Sequence, residues 1–209
     1  VVLVDLDRTL YPPETGLQEA GDRLLNEWMA ARLGLSLPEV DALRRRLWTQ
    51  YGTSAHGLQV EYGIPQAETY GNSIERLRPR DYVWPRPQVR QMLLTLGLPV
   101  YVCTNSTRLY CGRVLEALEL ADCCQGIISI ETMEWQAKPH EQAYRAALAV
   151  AGAEPEGAVF VDDNVGNLEG ARRLGLRTVF CHPDPRGRWT PQIADIVDLP
   201  RVLEELGGG

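Results

Sequence analysis

The chain has 209 residues, enough for one large domain or for a core carrying a smaller insert. Its hydrophobic fraction of 44% can fill a core, yet no uninterrupted apolar stretch reaches the length of a membrane helix. A net charge of −7 argues against a nucleic-acid polymer as partner, because a phosphate backbone demands a basic face, but leaves room for a small anion at a local positive site.

Short apolar runs recur at residues 1–4, 99–103, 126–130, 158–161 and 177–181, each followed by polar residues. Helix-like patterns lie between them at 87–96, 109–118, 140–150 and 168–174. Strands alternating with helices predict an α/β fold: right-handed crossovers and a parallel sheet buried on both faces. Ligands of such sheets bind beyond the carboxyl ends of the strands, so the residues just after each run are where chemistry is to be sought. The first run leads directly into Asp5 and Asp7, with nothing that reads as a signal peptide. Five cysteines (Cys103, Cys111, Cys123, Cys124 and Cys181) lack C-x-x-C spacing and read as reduced thiols of a cytoplasmic protein.

Residues 13–82 break the alternation. They show helical periodicity (Leu17, Ala20, Leu24, Leu25, Trp28; then Val40, Leu43, Leu47) and no convincing strand. Pro12-Pro13 opens the segment and Pro85 with Pro87 follows it, as hinge punctuation. The segment is expected to be a helical insert, with 1–12 and 83–209 forming the core. Within it Arg44-Arg45-Arg46 reads most simply as a solvated helix face.

Four strand ends carry candidate chemistry. The first ends in Asp5-Leu6-Asp7-Arg8-Thr9, two carboxylates spaced so that one can be nucleophile or metal ligand and the other general acid and base. The second ends in Thr104-Asn105-Ser106, where a hydroxyl and backbone N–H groups opening a helix can cradle phosphate. The third is followed by Lys138-Pro139, a cation kept out of regular helix. The fourth ends in Asp162-Asp163-Asn164, with Asn167 beyond, a hard-oxygen set suited to Mg²⁺. Individually each has a plainer reading: Thr104, Asp162 or Asp163 as helix caps, Lys138 as a surface lysine.

Taken in order, D-x-D-x-T, Thr, Lys and an acidic pair resemble the haloacid dehalogenase superfamily, whose phosphatases combine a Rossmann-like parallel sheet with an inserted helical cap. Within it Leu10-Tyr11-Pro12, Tyr51-Gly52-Thr53, Gly57-Leu58 and Thr104-Asn105 are similar to the pyrimidine 5′-nucleotidase branch. The resemblance implies an Mg²⁺-dependent phosphomonoesterase acting on a small phosphorylated metabolite through an aspartyl-phosphate. Asp5 would be the nucleophile and Asp7 the acid and base; Thr104, Asn105 and Lys138 would hold the phosphoryl group. Asp5, the Asp7 carbonyl and Asp163 would hold the metal, with Asp162 beside them, and which acid of the pair ligates directly stays open. Tyr51, Thr53 and His56 in the insert are candidate specificity residues, and Arg8 would change the charge at the mouth of the site. Rival expectations are a phosphatase for a sugar phosphate or phosphoglycolate, and a non-catalytic binding module on the same fold.

Overall fold

The computed structural model describes residues 1–184, 189 and 191–207. The chain divides into two compact units, Val1–Thr15 with Val83–Gly209 and, between them in sequence, Gly16–Tyr82. No helix among the described residues is long and apolar enough to cross a membrane.

The first unit is built on parallel strands β1 (Val2–Val4), β2 (Val100–Cys103), β3 (Gly126–Ile128), β4 (Val159–Asp162), β5 (Arg177–Cys181) and β6 (Gln192–Ile193), ordered β3-β2-β1-β4-β5-β6. Val2, Leu3 and Val4 are all buried, as they must be in a strand covered on both faces. The α/β expectation therefore holds, with a two-residue β6 added that the sequence pattern does not reveal.

The strand order explains where the chemistry sits. From β1 the chain winds outward through β2 to β3, then returns to β4 on the other side of β1 and winds outward again. The direction of winding reverses beside β1, and the crevice at such a switch point is the ligand site of open α/β sheets. Asp5, Thr104 and Asp162 end the three strands that meet there.

The insert consists of α1 (Leu17–Leu33), α2 (Leu37–Tyr51), α3 (Ser54–Tyr62) and α4 (Gln66–Gly71). Ser36 opens α2 with a capping box: the Ser36 backbone N–H and hydroxyl both donate to Glu39 Oε2, at 2.8 and 2.6 Å. Met29, Val40, Leu43, Leu47, Leu58 and Ile64 form its core, with Leu25 and Trp28 packed against them. The Arg44-Arg45-Arg46 run is not simply a solvated face. Arg44 pairs with Asp22 and Asn26 of α1, and Arg46 with Glu61 of α3, so two of the three tie neighbouring helices to α2.

In the first unit follow α5 (Pro87–Thr95), α6 (Arg108–Ala117), α7 (Glu141–Ala151), α8 (Val165–Arg173) and α9 (Leu199–Gly207). Right-handed crossovers place α5 and α6 on one face and α7 and α8 on the other, and α7 packs on α8. His140, expected in the first turn of a helix, is instead the residue that precedes α7.

Candidate active site

The strand ends bring Asp5, Lys138, Asp162 and Asp163 into one cluster. Lys138 is 1% exposed, and its ammonium donates to Asp5 Oδ1 at 2.7 Å, Asp162 Oδ2 at 2.9 Å and the Cys103 carbonyl at 2.7 Å. Those three bonds use all three ammonium protons. The ring of Phe160 on β4 lies beneath the same nitrogen, 5.0 Å from centroid to Nζ. The sequence reading puts Lys138 on a phosphoryl oxygen; the structure gives its donors to Asp5, Asp162 and a strand-end carbonyl. Burial pulls the ammonium toward neutrality, and the carboxylates of Asp162 and Asp5 more than offset it, so Lys138 stays charged.

Two close packings fix the Lys138 loop. Asn105 clamps its backbone, accepting from Lys138 N at 2.8 Å and donating to Lys138 O at 3.0 Å. On the other side, Gly170 of α8 lets Pro139 approach: a Cβ there would lie 2.7 Å from the Pro139 carbonyl oxygen and 2.9 Å from Tyr144 Oη. Tyr144 in turn donates to the Asn167 carbonyl at 2.6 Å.

The acidic pair divides its work. Asp162 is fully buried and saturated: besides Lys138 it accepts from Asn164 N at 2.8 Å and from Asn167 Nδ2 at 3.2 and 3.0 Å. Asn164, not either acid, caps α8, accepting from Gly166 N at 2.8 Å. Asp163 is thereby left out of the cap, and its carboxylate accepts no hydrogen bond among the described residues. Burial first, and the adjacent Asp162 charge second, push its pKa up to about 7, while Arg8 pulls the other way. Arg8, held at φ 62, therefore exerts its charge on Asp163.

Oxygen atoms of Asp5, Asp162 and Asp163 all lie within 4.8 Å of one another. Three carboxyl groups crowd around the Lys138 ammonium, and burial raises Asp5 well above its ordinary value, with Lys138 opposing and Asp162 and Asp163 adding to the rise. A hard divalent cation fits that donor set.

Asp7 stands two residues along from Asp5 in a cage of hydroxyls. Tyr11 Oη donates to its Oδ1 at 2.5 Å, Tyr110 Oη to the same atom at 3.1 Å, and Ser106 Oγ to Oδ2 at 3.0 Å. Burial raises its pKa while the hydroxyls of Tyr11, Ser106 and Tyr110 pull it back. Thr104 is buried, and its Oγ1 accepts from Ser106 N at 3.0 Å. The helix expected over 109–118 is α6, which starts at Arg108, and its cap is Thr107 rather than Thr104, Thr107 accepting from Tyr110 N.

Sequence reasoning did not pick out Tyr11, Ser106, Tyr110 or Gly170. Tyr11 lies inside Leu10-Tyr11-Pro12 and Ser106 inside Thr104-Asn105-Ser106, so both stand in recognised motifs without being given a role of their own. Tyr110 and Gly170 look like ordinary helix positions, and only the tertiary structure makes them neighbours of the site.

Of the candidate residues in the insert, Thr53 caps α3 by accepting from His56 N at 3.0 Å. The rings of Tyr51 and His56 are 5.9 Å apart, and Gln50 Nε2 donates to the Tyr51 hydroxyl at 3.0 Å. These three residues form a local group within their own unit.

A parallel sheet with this switch-point cluster is a ligand site of the open α/β class. Residues 1–175 match the family model for haloacid dehalogenase-like hydrolases, and the chain belongs to that family. Among curated proteins it is similar to a phosphoglycolate phosphatase of Pseudomonas putida, 24% identical over 97% of this chain and 78% of that one. It is also similar to an N-acetylmuramic acid 6-phosphate phosphatase of Pseudomonas aeruginosa, 25% identical over 85% and 72%. Among solved structures, a HAD phosphatase of Thermococcus onnurineus aligns with a TM-score of 0.66 at 18% identity, covering 97% of both chains. An L-2-haloacid dehalogenase of Xanthobacter autotrophicus aligns at 0.59 and 18%, again over 97% of both. At those identities the likeness is one of fold, which phosphatases and dehalogenases share.

Proposed function

We propose that this chain is an Mg²⁺-dependent phosphomonoesterase that works through an aspartyl-phosphate on Asp5. The observation that carries the reading is the convergence of Asp5, Lys138, Asp162 and Asp163 at the switch point, with the carboxylate of Asp7 two residues from Asp5. A dehalogenase needs no acid and base at Asp7. The metal would be held by Asp5, the Asp7 carbonyl and Asp163, with Asp162 beside them, and when bound it supplies positive charge against the phosphoryl group.

The residues then have distinct tasks. Lys138 holds Asp5 Oδ1 and so orients the nucleophile. An oxygen of Asp5 bonds to phosphorus as the ester P–O bond breaks, and Asp7 gives its proton to the leaving oxygen. Asp7 next takes a proton from water, whose oxygen bonds to phosphorus as the bond to Asp5 breaks and phosphate leaves. Thr104 and backbone N–H groups around Asn105 bind the phosphoryl oxygens.

The helical insert is proposed as a cap that sets substrate choice, through Tyr51 and His56, with the Thr53 side chain committed to helix capping. A pyrimidine nucleoside 5′-monophosphate is the leading substrate, on the Leu10-Tyr11-Pro12 and Tyr51-Gly52-Thr53 motifs. The names of the relatives favour a second reading, another small ester such as phosphoglycolate or a sugar phosphate. All five cysteines are free thiols, which suits a reducing compartment, and we place the enzyme in the cytoplasm.

The test is phosphate release from p-nitrophenyl phosphate with Mg²⁺, followed by a panel of nucleotides, sugar phosphates and phosphoglycolate. Release that stops on chelation is the expected result. No phosphate from any ester with Mg²⁺ present would overturn the reading, and a preference for a non-nucleotide would replace the substrate class.

A further inference from the structure

A carboxylate offers about four acceptor positions, two on each oxygen. On Asp7, Tyr11 and Tyr110 fill both positions of Oδ1, and Ser106 fills one of Oδ2. Among the described residues, the single position left is on Oδ2. The two phenols reach the same atom from different elements. Tyr11 follows Asp7 on a loop whose Leu10 carbonyl accepts from Arg86 Nη1 at 3.1 Å, and Tyr110 sits in the first turn of α6. Both side chains are buried, at 1% and 2% exposure. A buried phenol needs a partner, but a backbone carbonyl would serve; two phenols meeting on one carboxylate oxygen constrain how that carboxylate is turned.

We propose that Tyr11 and Tyr110 are positioning residues for Asp7: by occupying Oδ1 they turn the carboxylate so that Oδ2 exchanges the proton in both half-reactions. The proposal rests on the phosphatase reading and deepens it. In the first half-reaction the Oδ2–H bond breaks as the leaving oxygen gains its proton and the Asp5–phosphorus bond forms. In the second, water gives a proton to Oδ2 while its oxygen displaces Asp5 from phosphorus.

An orienting role leaves a signature that loss of packing does not. An alkoxide must be protonated as it leaves, whereas p-nitrophenolate leaves with little help. Tyr11→Phe and Tyr110→Phe each remove one hydroxyl and keep the ring. In single-turnover experiments each is expected to slow phosphoryl transfer from glycerol phosphate about 10-fold, and transfer from p-nitrophenyl phosphate less than about 3-fold, with KM unchanged. On an Asp7→Asn background the same substitutions should cost nothing further, since the group they orient has lost its proton chemistry. Equal losses on both esters, or a full additional loss on that background, would overturn the proposal. Each single variant is read separately, with its thermal midpoint as a check on folding. A wild-type protein that releases no phosphate sinks the phosphatase reading and this inference with it. An active wild type with losses independent of the leaving group sinks only the role of the tyrosines.

Discussion

Lys138 reaches across 133 residues of sequence to Asp5 and 24 to Asp162, with its side chain 1% exposed. In the insert, Arg44 reaches 22 residues to Asp22 and Arg46 reaches 15 to Glu61, and their side chains remain 21% and 48% exposed. The first pattern concentrates buried charge at one point of the sheet, where a cation removed from water costs several kcal/mol unless fully paired. The second staples neighbouring helices with pairs that water screens and that contribute about 0–1 kcal/mol each. Charges buried at such cost and drawn from distant parts of the chain belong with chemistry. Local, half-exposed pairs belong with the stability of a small helical unit.

That contrast breaks most visibly at Lys138. Lys138→Met leaves Asp5 and Asp162 buried without their common cation, an expected cost of about 3–5 kcal/mol and a fall in thermal midpoint on the order of 10 °C. Turnover should vanish as well. A variant that is as stable and active as wild type would put Lys138 with the insert's arginines.

Metal and pH are expected to act together on the same cluster. The folded-state pKa of Asp163 is raised from 3.8 to about 7, so the folded protein holds a proton that the unfolded chain has lost. Stability in chelator should therefore fall as pH rises from about 4 to about 7, then level off. Asp5, also raised, adds in the same direction. Mg²⁺ binds the carboxylate form, so its addition should restore most at pH 8 and little at pH 5. Thermal melts at the two pH values, with and without Mg²⁺, check this; equal stabilisation at both would count against Asp163 as a ligand.

Gly170→Ala should act at one remove. Its methyl group meets Pro139 and must displace the Lys138 loop, at about 1–3 kcal/mol of overpacking. Turnover is expected to fall with KM little changed, and a fully active, equally stable variant would show that the close approach does not position Lys138.

The motifs at the strand ends were legible because each is local: D-x-D, Thr104, Lys138 and the Asp162-Asp163 pair read from a few residues of sequence. The parallel sheet was legible for the same reason, since fully buried strands are continuous apolar runs. What those residues do to one another was not. That Lys138 bonds Asp5 and Asp162, that Asn105 clamps the Lys138 backbone, and that Tyr110 reaches Asp7 all depend on helices and loops packed from far along the chain. β6 has only two residues, too short to leave a pattern, and α9 carries no motif, although Leu199 and Val202 bury its inner face. In the insert the apolar stripes were read, whereas the partners of Arg44 and Arg46 lie on other helices.

The smallest effects are expected in the insert. Arg44→Met should cost no more than about 1 kcal/mol and leave hydrolysis of p-nitrophenyl phosphate unchanged. Tyr51→Ala and His56→Ala should shift preference among nucleotides and sugar phosphates more than they slow that generic ester. An unchanged profile for both would remove these residues as specificity contacts.

The most direct measurement is the trapping of the phosphoenzyme. Asp7→Asn keeps Asp5 but removes the acid and base, so steady-state turnover should drop by about 10²–10⁴-fold. With p-nitrophenyl phosphate the first step suffers least, the second still needs the base, and phosphate should accumulate on the protein. Rapid quench followed by peptide mass spectrometry should find it on Asp5 in this variant and nowhere in Asp5→Asn. Phosphate on another residue, or turnover by Asp5→Asn free of wild-type protein, would contradict the assignment of Asp5 as nucleophile.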